Sequence, residues 1–172
     1  QDLLKEVLKQ NDDYATRGLR VLALAYRDHE SLESVKEYSV ETLETDLIFS
    51  GLTAMSDPIR QAVPPAIEAC HGAGIRIIMI TGDYPLTAES IGRKAGLGKF
   101  QNSSGELKAI PGTDLASMSD EELKGVLAKG EMIFARATPD QKLRIVTLLQ
   151  ELGEIVAVTG DGVNDGPALK KA

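Results

Sequence analysis

Ile155-Val156-Ala157-Val158-Thr159-Gly160-Asp161-Gly162-Val163-Asn164-Asp165-Gly166-Pro167-Ala168-Leu169 is the stretch on which the fold turns. A short β-branched run meets a glycine-rich polar turn, and a helix-like segment follows. The same order occurs earlier: Ile75-Arg76-Ile77-Ile78-Met79-Ile80 ends in Thr81-Gly82-Asp83. Apolar runs this short, each followed by a helical pattern, read as buried strands of a parallel sheet. Two such strands place hydroxyls, backbone amides and carboxylates at the carboxyl edge of the sheet, where open α/β sheets bind ligands. That chemistry suits phosphate and a divalent metal.

Around these two runs, the remainder from residue 57 alternates helix and strand as βαβ units do. A helix is expected from about Gln61 to Ala73, ending at Gly72 or Gly74. Pro85 opens a second helix through Ala88, Ile91 and Ala95, with a stop at Gly96. Ser117-Met118-Ser119-Asp120-Glu121-Glu122-Leu123 carries the acidic first turn of another, and Met132-Ile133-Phe134-Ala135 reads as a further strand. Thr138-Pro139-Asp140-Gln141 is a helix start with cap, proline and capping-box glutamine. That helix is expected to bury Leu143, Val146, Leu149 and Leu152 and to stop at Gly153.

Before residue 57 the pattern changes. Leu3, Leu4, Val7 and Leu8 recur at helical spacing, and Leu19–Tyr26 is an apolar run. A charged segment, Arg27–Glu44, then leads to the strand-like Leu47-Ile48-Phe49-Ser50-Gly51-Leu52. Asp57-Pro58-Ile59-Arg60 breaks the chain, because proline disfavours helix in the residue before it. The boundary is placed there, giving 1–56 and 57–172.

The chain has 172 residues, 42% of them apolar, which is enough for a true core. A net charge of −7 leaves no basic face for nucleic acid. Its one cysteine, Cys70, excludes an internal disulfide and packs as a small hydrophobe. No apolar stretch nears the ~20 residues that span a bilayer, so the chain is expected to be cytoplasmic.

Thr81 and Gly82 sit where a strand yields to a helix, and free amides there form an anion site. A lone Thr-Gly-Asp is equally an ordinary turn; two at equivalent positions favour function. Asp161 and Asp165, with Asn164 between them, suit magnesium, the alternative being a helix cap. Lys142 lies in a first helical turn, where the helix dipole disfavours a cation. It is either aimed at an anion or solvated; Arg136 reaches the same region, and Arg144 reads as a bystander. His29 and His71 read as inert.

The motifs Asp57-Pro58-Ile59-Arg60, Met79-Ile80-Thr81-Gly82-Asp83 with Thr87-Ala88, Phe134-Ala135-Arg136-Ala137-Thr138-Pro139 with Lys142, and Thr159–Leu169 occur in one order. In this the chain resembles P-type cation-transporting ATPases, the calcium-pump group in particular, and through them the haloacid dehalogenase superfamily. Arg20-Val21-Leu22-Ala23-Leu24-Ala25 is similar to the closing segment of that family's nucleotide-binding domain. The resemblance implies an α/β haloacid-dehalogenase-like Rossmannoid parallel sheet, incomplete, joined to a nucleotide-domain remnant. It implies transfer of the ATP γ-phosphoryl group to an aspartate with Mg2+. Asp161, supported by Asp165, would hold the metal, and Thr81, Gly82, Lys142 and Asn164 the phosphoryl oxygens. Arg20, Asp83 and Arg136 would contact ATP, and Asp57 and Arg60 would form a hinge. Ile59 and Gly166 depart from the family's usual proline and alanine without removing a catalytic group.

The family's phosphorylated aspartate lies in Asp-Lys-Thr-Gly-Thr, which this sequence lacks. The resemblance therefore implies a piece of a membrane pump, inactive alone, without membrane helices, actuator domain or nucleophile strand. That strand would lie between the two ending in Thr-Gly-Asp, leaving a gap to be filled by rearrangement or by a strand-exchanged homodimer. A soluble phosphatase of the same superfamily and a non-catalytic nucleotide- or metal-binding module are the other readings.

Overall fold

A computed structural model describes residues 2–28, 39–100, 107–160 and 162–172. Its centre is a parallel sheet of three short strands: β3 (Ile78–Ile80), β5 (Met132–Ala135) and β4 (Ala109–Pro111), with β5 in the middle. Ile78 aligns with Met132 and Ile80 with Phe134, while Ile110 aligns with Phe134 on the other side. All four residues of β5 are buried. Pro111 stands on an edge strand, the place where a sheet tolerates proline.

Strand alternation sends the side chains of β5 to two separate cores. Met132 and Phe134 join Leu115, Leu123, Leu127, Ile145, Leu148 and Leu149. Those residues come from α5 (Gly112–Ser117), α6 (Asp120–Leu127) and α7 (Pro139–Glu151). Ile133 and Ala135 face the other way, onto Ala88, Leu97 and Leu107. Ala88 belongs to α4 (Pro85–Ala95), and Ile67 of α3 (Val63–Gly72) packs against the same cluster. Gly92 lets α4 lie close to the sheet, because a Cβ there would run into Ile133. The result is a sheet covered by helices on both faces, as an α/β domain requires.

The local signals for helices were accurate. Thr138 accepts from the Gln141 amide at 3.3 Å while its own amide donates to Gln141 Oε1 at 3.0 Å. Ser119 and Glu122 make the same reciprocal cap on α6, and Gly96 ends α4 in the left-handed conformation. The buried face of α7 differs from expectation. It uses Ile145, Val146, Leu148 and Leu149, whereas Leu152 is 44% exposed. The helix rests on both α6 and the sheet, so its covered stripe is wider than one amphipathic line and rotated towards Leu148.

One strand expectation fails. Residues 155–158 form no β-ladder, and Ile155 is fully exposed. The run does lie in the right place. Arg76 Nη2 meets Glu154 Oε1 at 3.2 Å, across the same spacing that separates Thr81 from Thr159. Val156, Ile78 and Ile80 all pack against one core cluster. Among the described residues, however, β3 is bonded to β5 alone, and the 155–158 run has no neighbour to complete a ladder. An apolar run becomes a strand only when its backbone groups find partners.

The expected inert role of His71 also needs correction. Its Nε2 lies 2.7 Å from Glu131 Oε1, a carboxylate with no exposed surface. Glu131 further accepts the amides of Ile77 at 3.1 Å and Gly98 at 2.8 Å, so it pins the start of β5 to two loops. Arg144, too, is structural rather than idle: it donates to the carbonyls of Leu115 and Met118 and to Asp120, joining α5 and α6. His29 lies outside the described residues.

The first part of the chain packs beside this core. Helix α1 (Asp2–Thr16) leads through Gly18 into β1 (Arg20–Tyr26), which pairs antiparallel with β2 (Ile48–Met55). A short helix, α2 (Val40–Leu43), lies between them. Leu3, Leu4 and Leu8 of α1 and Leu22, Leu24 and Tyr26 of β1 are exposed, and only Ala15 of α1 is fully covered.

Candidate functional site

The carboxyl edge of β3 and β5 is built as one stitched unit. The Thr81 amide donates to the Phe134 carbonyl at 2.9 Å, the Ala137 amide to Thr81 at 3.1 Å, and the Arg136 amide to Asp83 at 3.2 Å. Inside the first turn, the Thr81 hydroxyl donates to Asp83 Oδ2 at 3.0 Å and accepts the Asp83 amide at 3.1 Å. Arg136 adopts φ 56, a left-handed conformation that side chains other than glycine rarely take. Gly112 permits the bend, since a Cβ there would collide with the Arg136 carbonyl.

These turns form one wall of a cavity of about 380 Å³. Gly82, Asp83, Tyr84 and Arg136 line it from the sheet side, and Asn11, Ala15 and Arg20 from α1 and β1. The three residues assigned to ATP by resemblance, Arg20, Asp83 and Arg136, therefore share a single cavity with Gly82. Two guanidiniums facing one space suit a phosphate-bearing ligand, because Arg binds phosphate in charge-assisted pairs.

Lys142 and Asp165 make a second arrangement. Lys142 Nζ lies 2.5 Å from Asp165 Oδ1, and both side chains are largely covered. The Lys142 ammonium, followed by the Gly162 amide at 3.2 Å, holds the Asp165 carboxyl below the usual carboxylate range. The anion that compensates a lysine in the first turn of α7 is thus a side chain of the same protein. Gly160 and Gly162 make room for it; a Cβ on Gly160 would come within 2.7 Å of Asp165.

Asn164 is exposed in the turn that precedes α8 (Gly166–Lys171). Asp161 lies outside the described residues. Among the described residues, no group of three or more His, Cys, Asp or Glu side chains gathers in metal-binding fashion. Asp57 and Arg60 are exposed in the connection from β2 to α3, apart from the cavity residues.

Sequence reasoning missed Tyr84, Asn11 and Thr87 as cavity residues. Asn11 offered one signal: it interrupts the apolar stripe of α1 one turn before Ala15. Tyr84 offered none, because its partner Asp12 is remote in sequence.

Residues 1–62 match the family described as P-type ATPase, cytoplasmic domain N. The chain is 44% identical to a cation-transporting ATPase of Synechocystis, over 97% of this chain and 18% of that protein. It is 41% identical to a calcium-transporting ATPase of Listeria monocytogenes, over all of this chain and 18% of that protein. With a sodium/potassium-transporting ATPase alpha subunit of the rat it shares 45% identity over 74% of its length. The chain belongs to the P-type cation-transporting ATPase family. It lies close to the calcium-transporting members and spans about 18% of the length of the curated relatives it matches. Among the described residues no helix is long and apolar enough to cross a membrane.

Proposed function

We propose that this chain is part of the ATP-binding and phosphoryl-transfer machinery of an ATP-driven cation pump working through an aspartyl-phosphate intermediate. The observation that carries the proposal is the shared cavity: Arg20 from one part of the chain faces the same space as Gly82, Asp83 and Arg136 from the other. Residues 1–56 would then be the tail of a nucleotide-binding domain and 57–172 an incomplete phosphorylation domain of haloacid-dehalogenase type. Asp57 and Arg60, in the exposed connection between them, would serve as the hinge.

In this reading Arg20, Asp83 and Arg136 hold the nucleotide. Thr81 and Gly82 present the turn to the transferred group, and for Thr81 this requires its hydroxyl to leave Asp83. Lys142 supplies positive charge as negative charge shifts during transfer, the main contribution a protein makes to phosphoryl chemistry. Its pairing with Asp165 keeps that charge oriented before substrate arrives. Bound Mg2+ would neutralise phosphate oxygens. Asp161 is its proposed principal ligand, with Asn164 adjoining and Asp165 supporting the loop through Gly162.

The nucleophilic aspartate is absent from this sequence. We place it on a strand of the parent pump that runs between β3 and residues 155–158. The free edge of β3, with Val156 packed beside it but unladdered, supports that position. The isolated chain is accordingly inactive in phosphoryl transfer, and the actuator domain and membrane helices of the parent are its partners.

Calorimetric titration with ATP tests the binding half. The chain should bind ATP, and Arg20→Ala or Arg136→Ala should each weaken binding about tenfold, as expected for loss of one charged hydrogen bond. Absence of binding, or binding indifferent to both changes, would overturn it. Incubation with γ-labelled ATP and Mg2+ tests the other half: a hydroxylamine-labile label on this chain would refute the assignment of the nucleophile to the parent.

A further inference from the structure

Helix α4 and its cap hold the α1–β1 segment by three polar contacts. The Tyr84 hydroxyl donates to Asp12 Oδ1 at 3.2 Å, the Thr87 hydroxyl to the Leu19 carbonyl at 3.2 Å, and Lys94 Nζ to the Arg17 carbonyl at 2.6 Å. Between these points the turn at Gly18 (φ 82) lies flat on α4, with Ser90 and Lys94 where a Cβ would stand. Ala15 is the one fully buried residue of α1. The seam is small and polar, so each hydrogen bond is a large share of what holds it.

Two of the contacts grip main-chain carbonyls just before Arg20. The third, from Tyr84, comes from the cavity side. Tyr84 is fixed for this purpose by its neighbour: Pro85 keeps it extended (φ −63, ψ 141) at the cap of α4. Its ring lines the cavity between Asp83 and the α1 residues.

We propose that Tyr84 is a positioning residue for nucleotide: its hydrogen bond to Asp12 latches α1 over the cavity and holds Arg20 opposite Asp83 and Arg136. The inference rests on the cavity being the nucleotide site. It adds a residue that never needs to touch the nucleotide itself. The phenol is suited to the task, since burial, and then Asp12, push its pKa up and keep it a donor throughout the neutral range. A phenolate could not donate to a carboxylate.

Calorimetric titration of the chain with ATP is the test. Tyr84→Phe, which removes only the hydroxyl, should weaken ATP binding about fivefold, and Asp12→Ala should match it. Asp12→Asn keeps an acceptor and should restore most of the affinity. In an Arg20→Ala background, Tyr84→Phe should weaken binding no further, because the latch acts through Arg20. A merely structural tyrosine would give the same loss in both backgrounds. Unchanged affinity in Tyr84→Phe, or an equal loss with and without Arg20, overturns the latch while leaving the nucleotide reading intact. Failure of the unaltered chain to bind ATP overturns the nucleotide reading, and the latch proposal with it.

Discussion

Met132–Ala135 and residues 155–158 are both four-residue apolar runs that open onto a polar turn, yet only the first is a strand. Strand β5 has a parallel neighbour on each side and side chains sealed in two cores. The other run has Val156 against a core, Ile155 in solvent, and no ladder. Intrinsic propensity is equal or better in the second, so propensity does not decide. The supply of backbone partners does, because strand preference expresses packing and pairing more than the residue itself.

The largest way to break this comparison is at its buried end. Phe134→Ala should destabilise the chain by about 3–5 kcal/mol through a cavity at the centre of the sheet, read by urea denaturation. Amide hydrogen exchange sharpens the contrast: residues 132–135 should exchange only through global opening, and residues 155–158 close to the unprotected rate. Equal protection of the two would show that 155–158 forms a ladder in solution.

The polar ends of the two runs differ as well. Thr138→Ala removes the cap that follows β5 and should cost about 1 kcal/mol, in the same denaturation assay. Beyond the second run, Asp165 has a lowered pKa because it pairs with Lys142. Its contribution to stability is therefore complete above the ordinary carboxyl value and lost as pH falls through its own lower one. Asp165→Asn should be less stable than the parent chain at pH 7 and converge with it in acid, measured by denaturation from pH 7 to 3. The smallest effect belongs to Ile155→Ala, which should change stability by less than about 0.5 kcal/mol because the side chain touches nothing it could lose.

Much of the core was legible because its signals are local. The alternation in Met132-Ile133-Phe134-Ala135 gave a strand with two buried faces, and the Thr138-Pro139-Gln141 and Gly96 patterns gave helix ends. The candidate site was legible in its parts: Gly82, Asp83, Arg136 and Lys142 were marked by their place after strands and at a helix start. The partner of Lys142 was misjudged. A reading in sequence order set both Lys142 and Asp165 towards external ligands, whereas the fold brings them 2.5 Å apart.

The sequence by itself determined the helix caps, the strand alternation, the turns that carry chemistry and the membership in the P-type cation-transporting ATPase family. Each rests on residues close together in the chain or on motifs in a fixed order. Only the tertiary structure decided that 155–158 is not a strand, that Leu148 rather than Leu152 is covered, that Arg136 turns left-handed over Gly112, and that Arg20 meets Asp83 across one cavity. Those outcomes depend on which distant backbone groups and side chains are present to complete a contact, and no local spacing encodes that.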